Sequence, residues 1–257
     1  MSTVYTGLSG MLANEMCLNT TGNNIANSVT NGYKSDQTTE RVFEEVILNR
    51  IDDTGRTPLG SYHHQVFTDE VHTDYSQGFP QMTNKPLDIF IDDLNGEAVT
   101  FITVERNGEE LLIRNGHLKL DVDHNLVSNG NLYTLNNNGE RINLSGYNMN
   151  EITINGQGQI LDTITGDVID EIAMSSVSGD TLDTLKKVGN NSFAFTDETE
   201  FIEASFNIYQ GFLESSNVNL NKEMIDLMTA QKGYSMNAKT FQTADSIREI
   251  ESNRLGS

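Results

Sequence analysis

Two grammars of hydrophobic and polar positions alternate along this chain. At the N-terminal end Val4, Leu8, Met11, Leu18, Gly22 and Ile25 recur in steps of three and four, with Glu15 the one polar member. That spacing predicts one face of a helix of about 20 residues. The C-terminal end repeats it at greater length through Leu220, Met224, Leu227, Gln231, Tyr234, Ala238, Phe241, Ala244 and Ile247. This second run makes about eight helical turns. Asn217 and Asn219 precede it as candidate N-caps, and Gly256 follows it.

Between the ends the period falls to two. LLIRNGHLKLDVDHNLVSNGNLYTLNNNGERINL alternates apolar and polar residues between Asn-Gly turns, and the pattern continues through EITINGQGQILDTITGDVIDEIAM. Short runs bounded by such turns predict antiparallel strands joined by hairpins. QTTERVFEEVILNRI fits helix or strand, and SYHHQVFTDEVHTDYSQG reads as extended. The predicted fold class is therefore α+β: long N- and C-terminal helices with a mostly antiparallel β domain inserted between them. The divisions are 1–34, the first helix and a turn; 35–75, an extended connector; 76–203, the β domain; and 204–257, the C-terminal helix.

Burying each large apolar side chain contributes ~1.5–3 kcal/mol, while ordering each backbone residue costs ~1–2 kcal/mol. A lone helix with one apolar residue in three or four is thus marginal. The periodicity fits two remedies: an antiparallel hairpin or packing on the β domain within one chain, or bundling with helices of other copies.

Charge sharpens the division. The net charge is −21, and it is unevenly spread. Residues 1–50 hold five acids and three bases, residues 204–257 six and five, and residues 51–203 hold 26 acids against 8 bases. An acidic middle repels phosphate backbones, so nucleic acid is excluded as a partner. The near-neutral ends can pack against like neighbours. With 36% apolar residues and no long apolar run, nothing here spans a membrane. MSTVYTGLSGML has no basic n-region and no small-residue cleavage site, so no classical secretory signal is expected.

Little in the sequence points to a reaction. Adjacent His63 and His64 in an extended segment point to opposite faces and cannot chelate together, and His72 stands apart. The pairs Asp52-Asp53 and Asp92-Asp93 lack a neighbour that would separate their pKa values. DVDHNLVSNGNL opens like a calcium loop but carries Leu126 and Leu132 where Gly and Glu are required, so a turn at Asp123-His124-Asn125 is expected. Cys17 lies beside the apolar face of the first helix with no base placed for it. No metal, cofactor or small-molecule substrate is expected. Two other classes would leave different traces: an extracellular glycan- or cation-binding β module, or a cell-wall hydrolase using Asp92 or Asp93.

GLSGMLANEMCLNTTGNNIANSVTNGYKSD resembles the N-terminal signature of the bacterial flagellar rod and hook proteins, centred on NNIAN and a Thr-x-Gly-aromatic-Lys turn. QGFLESSNVNLNKEMIDLMTAQKGYSMNAKTFQTADSI resembles the matching C-terminal signature, and SQGFPQMTNKPLDIFI and RNGHLKLD are similar to the start of that family's β domain. Length and RVFEEVILNRI are most similar to the distal rod branch; the proximal rod and hook branches are the alternatives.

The resemblance implies a torque-transmitting structural subunit of the flagellar basal body. It would be exported through the flagellar type III apparatus and assembled helically with its own copies and with other rod and hook subunits, its terminal helices forming a coiled-coil-like core. It implies core positions at Leu8, Met11, Leu12, Leu18, Ile25, Leu220, Met224, Leu227, Tyr234, Ala238, Phe241 and Ile247. The motif turn is Asn23, Asn24, Ile25, Ala26, Asn27, Thr30, Gly32, Tyr33 and Lys34. Asn31-Gly32 supplies the tight or left-handed turn that stops the first helix, and the asparagine amides serve backbone groups left open there.

Overall fold

The computed structural model describes residues 2–42, 46–52, 55–62, 66–94 and 96–255, with side chains placed for 7–39, 70–94, 96–149 and 151–250. His63, His64 and Gly256, and the side chains of Asp52 and Asp53, lie outside the described residues. The chain divides into two compact units. One comprises Met1–Ala26, Asp36–Thr73 and Asn219–Ser257; the other comprises Asn27–Ser35 and Asp74–Val218.

The first unit holds both long helices, α1 (Ser2–Ala26) and α2 (Leu220–Leu255). They pack antiparallel: Asn24 donates to Glu223 at one end, while Gly10 faces Asn237 and Gly7 faces Phe241 toward the other. The buried residues of this seam are small or polar, including Ala13, Thr21, Asn24, Glu223 and Ala230. Cys17 belongs to the same region and lines a small polar cavity with Thr21, Glu223 and Ala230, so it flanks α2 rather than the leucine stripe.

Leu8 and Leu12 are turned away from this seam. At 3.6 residues per turn, Leu8 and Leu12 lie roughly half a turn around α1 from Gly10, Asn14 and Cys17, and both are exposed. Periodicity therefore located the helices, but their mutual contact centres on Gly10, Asn14, Gly233 and Asn237, with Phe241 the stripe residue that reaches it. Small side chains let two backbones approach closely, and polar ones satisfy one another there.

Among the described residues this unit also holds four strands: β1 (Asp36–Val42), β2 (Val46–Asp52), β3 (Gly55–Tyr62) and β4 (Val66–Thr73). β1 pairs antiparallel with β4, and β2 with β3. QTTERVFEEVILNRI thus supplies strands on either side of residues 43–45, in keeping with its β-branched Thr38, Thr39, Val42, Val46, Ile47 and Ile51.

The second unit is the β domain. After β5 (Pro80–Met82) and β6 (Ile89–Asp93), its centre is the hairpin of β7 (Ala98–Arg106) and β8 (Glu109–Ile113). Asn107 and Gly108 join these strands with φ of 57° and 86°, the positive pair that a two-residue type I′ turn requires. β7 and β8 lie within an eight-stranded antiparallel sheet. Alternation sends Ile102, Val104, Leu111 and Ile113 into the larger core, and Phe101 and Leu112 into a second cluster with Val177 and Phe193.

One boundary differs from the sequence expectation. Residues 206–210 pair with β6 and residues 212–214 with β5, as strands of the β domain rather than the start of the terminal helix. Gly211, at φ 81°, lets the chain turn between them, and burial of Ile208 and Leu213 holds both. The helix begins after Asn219, whose Oδ1 accepts from the Lys222 amide at 3.2 Å as an N-cap. Asn217, the other cap candidate, is employed elsewhere.

Candidate functional site

The motif turn folds into the β domain as a buried corner. Asn27 closes the first step: Thr30 donates its amide to the Asn27 carbonyl at 3.0 Å and its hydroxyl to Asn27 Oδ1 at 3.2 Å. Gly32 follows at φ +66°, and a Cβ there would lie 2.8 Å from backbone atoms of Arg114 and Asn115. Its amide donates to the Glu214 carbonyl at 2.8 Å. Tyr33, Lys34 and Ser35 are all buried. Lys187 covers them, its Nζ 4.7 Å from the Tyr33 ring centre and donating to the Lys34 carbonyl at 2.7 Å.

Asn217 clamps the corner from the other end of the sequence. Its Oδ1 accepts the Ser35 amide at 2.8 Å, and its Nδ2 donates to the Asp74 carbonyl at 2.8 Å. Together these bonds satisfy backbone groups that an irregular buried segment would otherwise leave unpaired.

Beneath the corner lies a buried charge network. Lys34 Nζ donates to Glu214 Oε1 at 2.7 Å and to the Ser76 carbonyl at 2.9 Å. Arg114 Nε donates to Glu214 Oε2 at 2.6 Å, and its Nη2 meets Asp93 at 2.9 Å and the Ile91 carbonyl at 2.8 Å. Arg114 Nη1 also donates to the Thr100 carbonyl. The Gly78 amide adds a further donor to Glu214 Oε1 at 2.8 Å. Two cations thus face two carboxylates, with relative exposures of 0% for Lys34, 1% for Arg114 and 2% for Glu214. Desolvating each charge costs several kcal/mol, so such a group is tolerated only when its partners are in place.

Burial alone would push the Glu214 carboxyl up, but the charges of Arg114 and Lys34 outweigh it and hold the group below its ordinary value of 4.5. Burial draws Lys34 down against the pull of Glu214. Glu214 therefore contributes stability that is present above the unfolded carboxylate range and is lost as pH falls through its lower folded value. Acid titration of unfolding should show the β domain persisting below pH 4.5 and then weakening. Glu214→Gln should lack that dependence; an unchanged acid profile in this variant would contradict the assignment.

The remaining motif residues lie in the helical unit. Asn24 is buried; its Nδ2 donates to the Asp36 carbonyl at 2.7 Å and its Oδ1 accepts the Asp36 amide at 3.0 Å. Ile25 is half-buried, and Asn23 and Ala26 are exposed. Of the stripe positions, Met11, Leu18, Leu227, Tyr234 and Ala238 are half-buried, while Leu8, Leu12, Leu220, Met224, Phe241 and Ile247 are exposed.

Sequence reading passed over Arg114, Glu214 and Asp93 as a network. A signal was present: Arg114 closes LLIR and Glu214 closes FLE, each a charge at the end of an apolar strand, where a partner is required. The other candidate groups are structural. Asp93 serves Arg114, Asp92 accepts from Gln77 at 3.4 Å, and Asp121 Oδ1 caps the turn at the Asp123 and Asn125 amides. His124 within that turn has φ 64°.

Lys34 and Glu214 fall inside the two segments that match known families. Residues 4–34 match the family model for flagella basal body rod protein, and residues 209–255 match that for the C-terminal part of flagellar basal body rod FlgEFG protein. Both models describe proteins of the bacterial flagellar basal body. Over nearly its whole length it is similar to the flagellar hook-basal body complex protein FlhO of Bacillus subtilis, at 26% identity with 98% of each chain covered. It is also similar to the flagellar basal-body rod protein FlgG of Borreliella burgdorferi, at 28% with 98% of each covered, and to that of Bacillus subtilis, at 27% with 96% of each covered. Both terminal segments of the chain thus match flagellar basal-body rod models, and its full-length relatives carry flagellar rod and hook-basal body names.

Proposed function

We propose that this protein is a structural subunit of the distal rod of the flagellar basal body, assembling with its own copies through the outer faces of α1 and α2. The observation that carries this reading is the exposed apolar surface of the helical hairpin. The seam is closed by small and polar residues, yet Leu8, Leu12, Met224, Ile225 and Met228 remain exposed away from it. Burying each would contribute about 1.5–3 kcal/mol, a return that only further chains or a covering surface can provide.

Charge supports the same arrangement. Across the 25 residues of α1, Glu15 is the only charged side chain, so α1 helices can crowd without repulsion. The acidic residues between 51 and 203 belong to the part that stays solvated. A rod of this kind joins other rod and hook subunits and receives its subunits through the flagellar type III apparatus; its helices would form a coiled-coil-like core. The distal position rests on the similarity to FlgG proteins.

Leu12→Asp and Met228→Asp test this reading. Both positions are exposed, so thermal unfolding should stay within about 0.5 kcal/mol of the parent. Complementation of a strain lacking this protein should give secreted but unassembled subunits and no swimming. Normal swimming with either variant would overturn the assignment of this face to assembly.

A further inference from the structure

The two helices carry the same pair of residues at the same spacing, Gly10-x-x-x-Asn14 in α1 and Gly233-x-x-x-Asn237 in α2. Antiparallel pairing sets these motifs face to face in reversed order. A Cβ on Gly10 would lie 2.5 Å from Asn237 Nδ2 and 3.0 Å from its Cγ. One on Gly233 would overlap Asn14 Oδ1 and lie 3.0 Å from its Cγ. Each asparagine thus fills the space that its opposing glycine leaves. Asn14 is held in that pose by donating Nδ2 to the Gly10 carbonyl at 2.6 Å.

Between the Asn24–Glu223 hydrogen bond at one end of the seam and Phe241 against Gly7 at the other, Ala13, Cys17 and Ala230 offer little relief that could fix a register. The reciprocal motif does offer it. Sliding α2 by one turn in one direction would oppose Asn14 with Asn237, knob against knob. Sliding it the other way would oppose Gly10 with Gly233, hole against hole. Only the observed register fills both holes.

We infer that the paired Gly-x-x-x-Asn motifs set the register of the α1–α2 hairpin, and so determine which apolar side chains the hairpin presents to a second copy of this chain. The second half rests on the assembly reading above. One turn of slip displaces α2 by about 5.4 Å along α1, shifting the exposed Met224 and Met228 by that distance relative to Leu8 and Leu12. A neighbour shaped to one arrangement would then meet another.

The natural cysteine provides the readout. Asn14 faces Gly233, so Cys17, three residues after Asn14, is level with Ala230, three before Gly233, and oxidising the purified full chain carrying Ala230→Cys should form a disulfide with Cys17. Asp226→Cys and Tyr234→Cys, one turn to either side, report slipped registers and should cross-link at least fivefold less. Adding Gly233→Asn, which sets an asparagine against Asn14, should cut the Ala230→Cys cross-link at least fivefold and abolish swimming. Adding Asn14→Gly to Gly233→Asn exchanges knob and hole and should restore both. An unchanged cross-link in Gly233→Asn, or no recovery in the exchanged pair, overturns the register assignment. A lost cross-link with normal swimming overturns the link to assembly while leaving the register assignment standing.

Discussion

Glu214→Gln is expected to lower the thermal midpoint of the β domain by roughly 6–20 °C. The substitution keeps the shape of the side chain and removes its charge. Lys34 and Arg114 then share Asp93 alone, inside a site with almost no access to water. Breaking a buried pair by neutralising one partner typically costs ~3–5 kcal/mol, because the other charge remains desolvated. For domains of about 150–250 residues, each kcal/mol corresponds to about 2–4 °C.

The double variant Lys34→Met/Glu214→Gln leaves one cation and one carboxylate. It should be more stable than the sum of the two single losses by about 1–3 kcal/mol, the non-additivity expected of contacting residues. Calorimetry on the four proteins of this cycle provides the check. A midpoint within 2 °C of the parent for Glu214→Gln, taking about 2 °C as the smallest shift 1 kcal/mol would give, would show that the charges do not stabilise the corner.

Gly32→Ala is the second large effect. At φ +66° an L side chain already sits in the left-handed region, at a cost of about 1–2 kcal/mol. Here the added carbon would also stand 2.8 Å from the Arg114 carbonyl carbon and oxygen and from the Asn115 nitrogen. These are backbone atoms, so no rotamer change relieves the overlap, and overpacking typically costs a further ~1–3 kcal/mol.

Gly139→Ala separates the two contributions. Gly139 has φ +78° and nothing within 4 Å of a Cβ, so it should show the conformational part alone. Urea unfolding should place Gly32→Ala about 2–5 kcal/mol below the parent and Gly139→Ala closer to it. Equal losses at the two sites would remove the argument from close approach.

These two positions illustrate different degrees of legibility in the sequence. Gly32 sits in an Asn-Gly pair directly after a helical pattern, and local chemistry was enough to place a turn there. The antiparallel strands were likewise readable, since alternation and Asn-Gly punctuation are short-range properties of the chain. Asn219 as the helix cap was one of two local candidates. The choice between it and Asn217 depended on Ser35, Asp74 and Ser76, far away in sequence.

By itself the sequence determined the α+β class, the two terminal helices, the hairpin turns, the uneven charge and the motifs that mark the flagellar rod family. Each follows from local propensity or composition, which need no knowledge of what lies opposite. Only the tertiary structure decided that Lys34 reaches Glu214 across 180 residues, that Arg114 completes a neutral buried cluster, and that α1 meets α2 through glycine and asparagine instead of leucine. Periodicity records which residues are apolar. Which face another helix covers is decided by how closely the backbones can approach and whether every buried charge finds its partner.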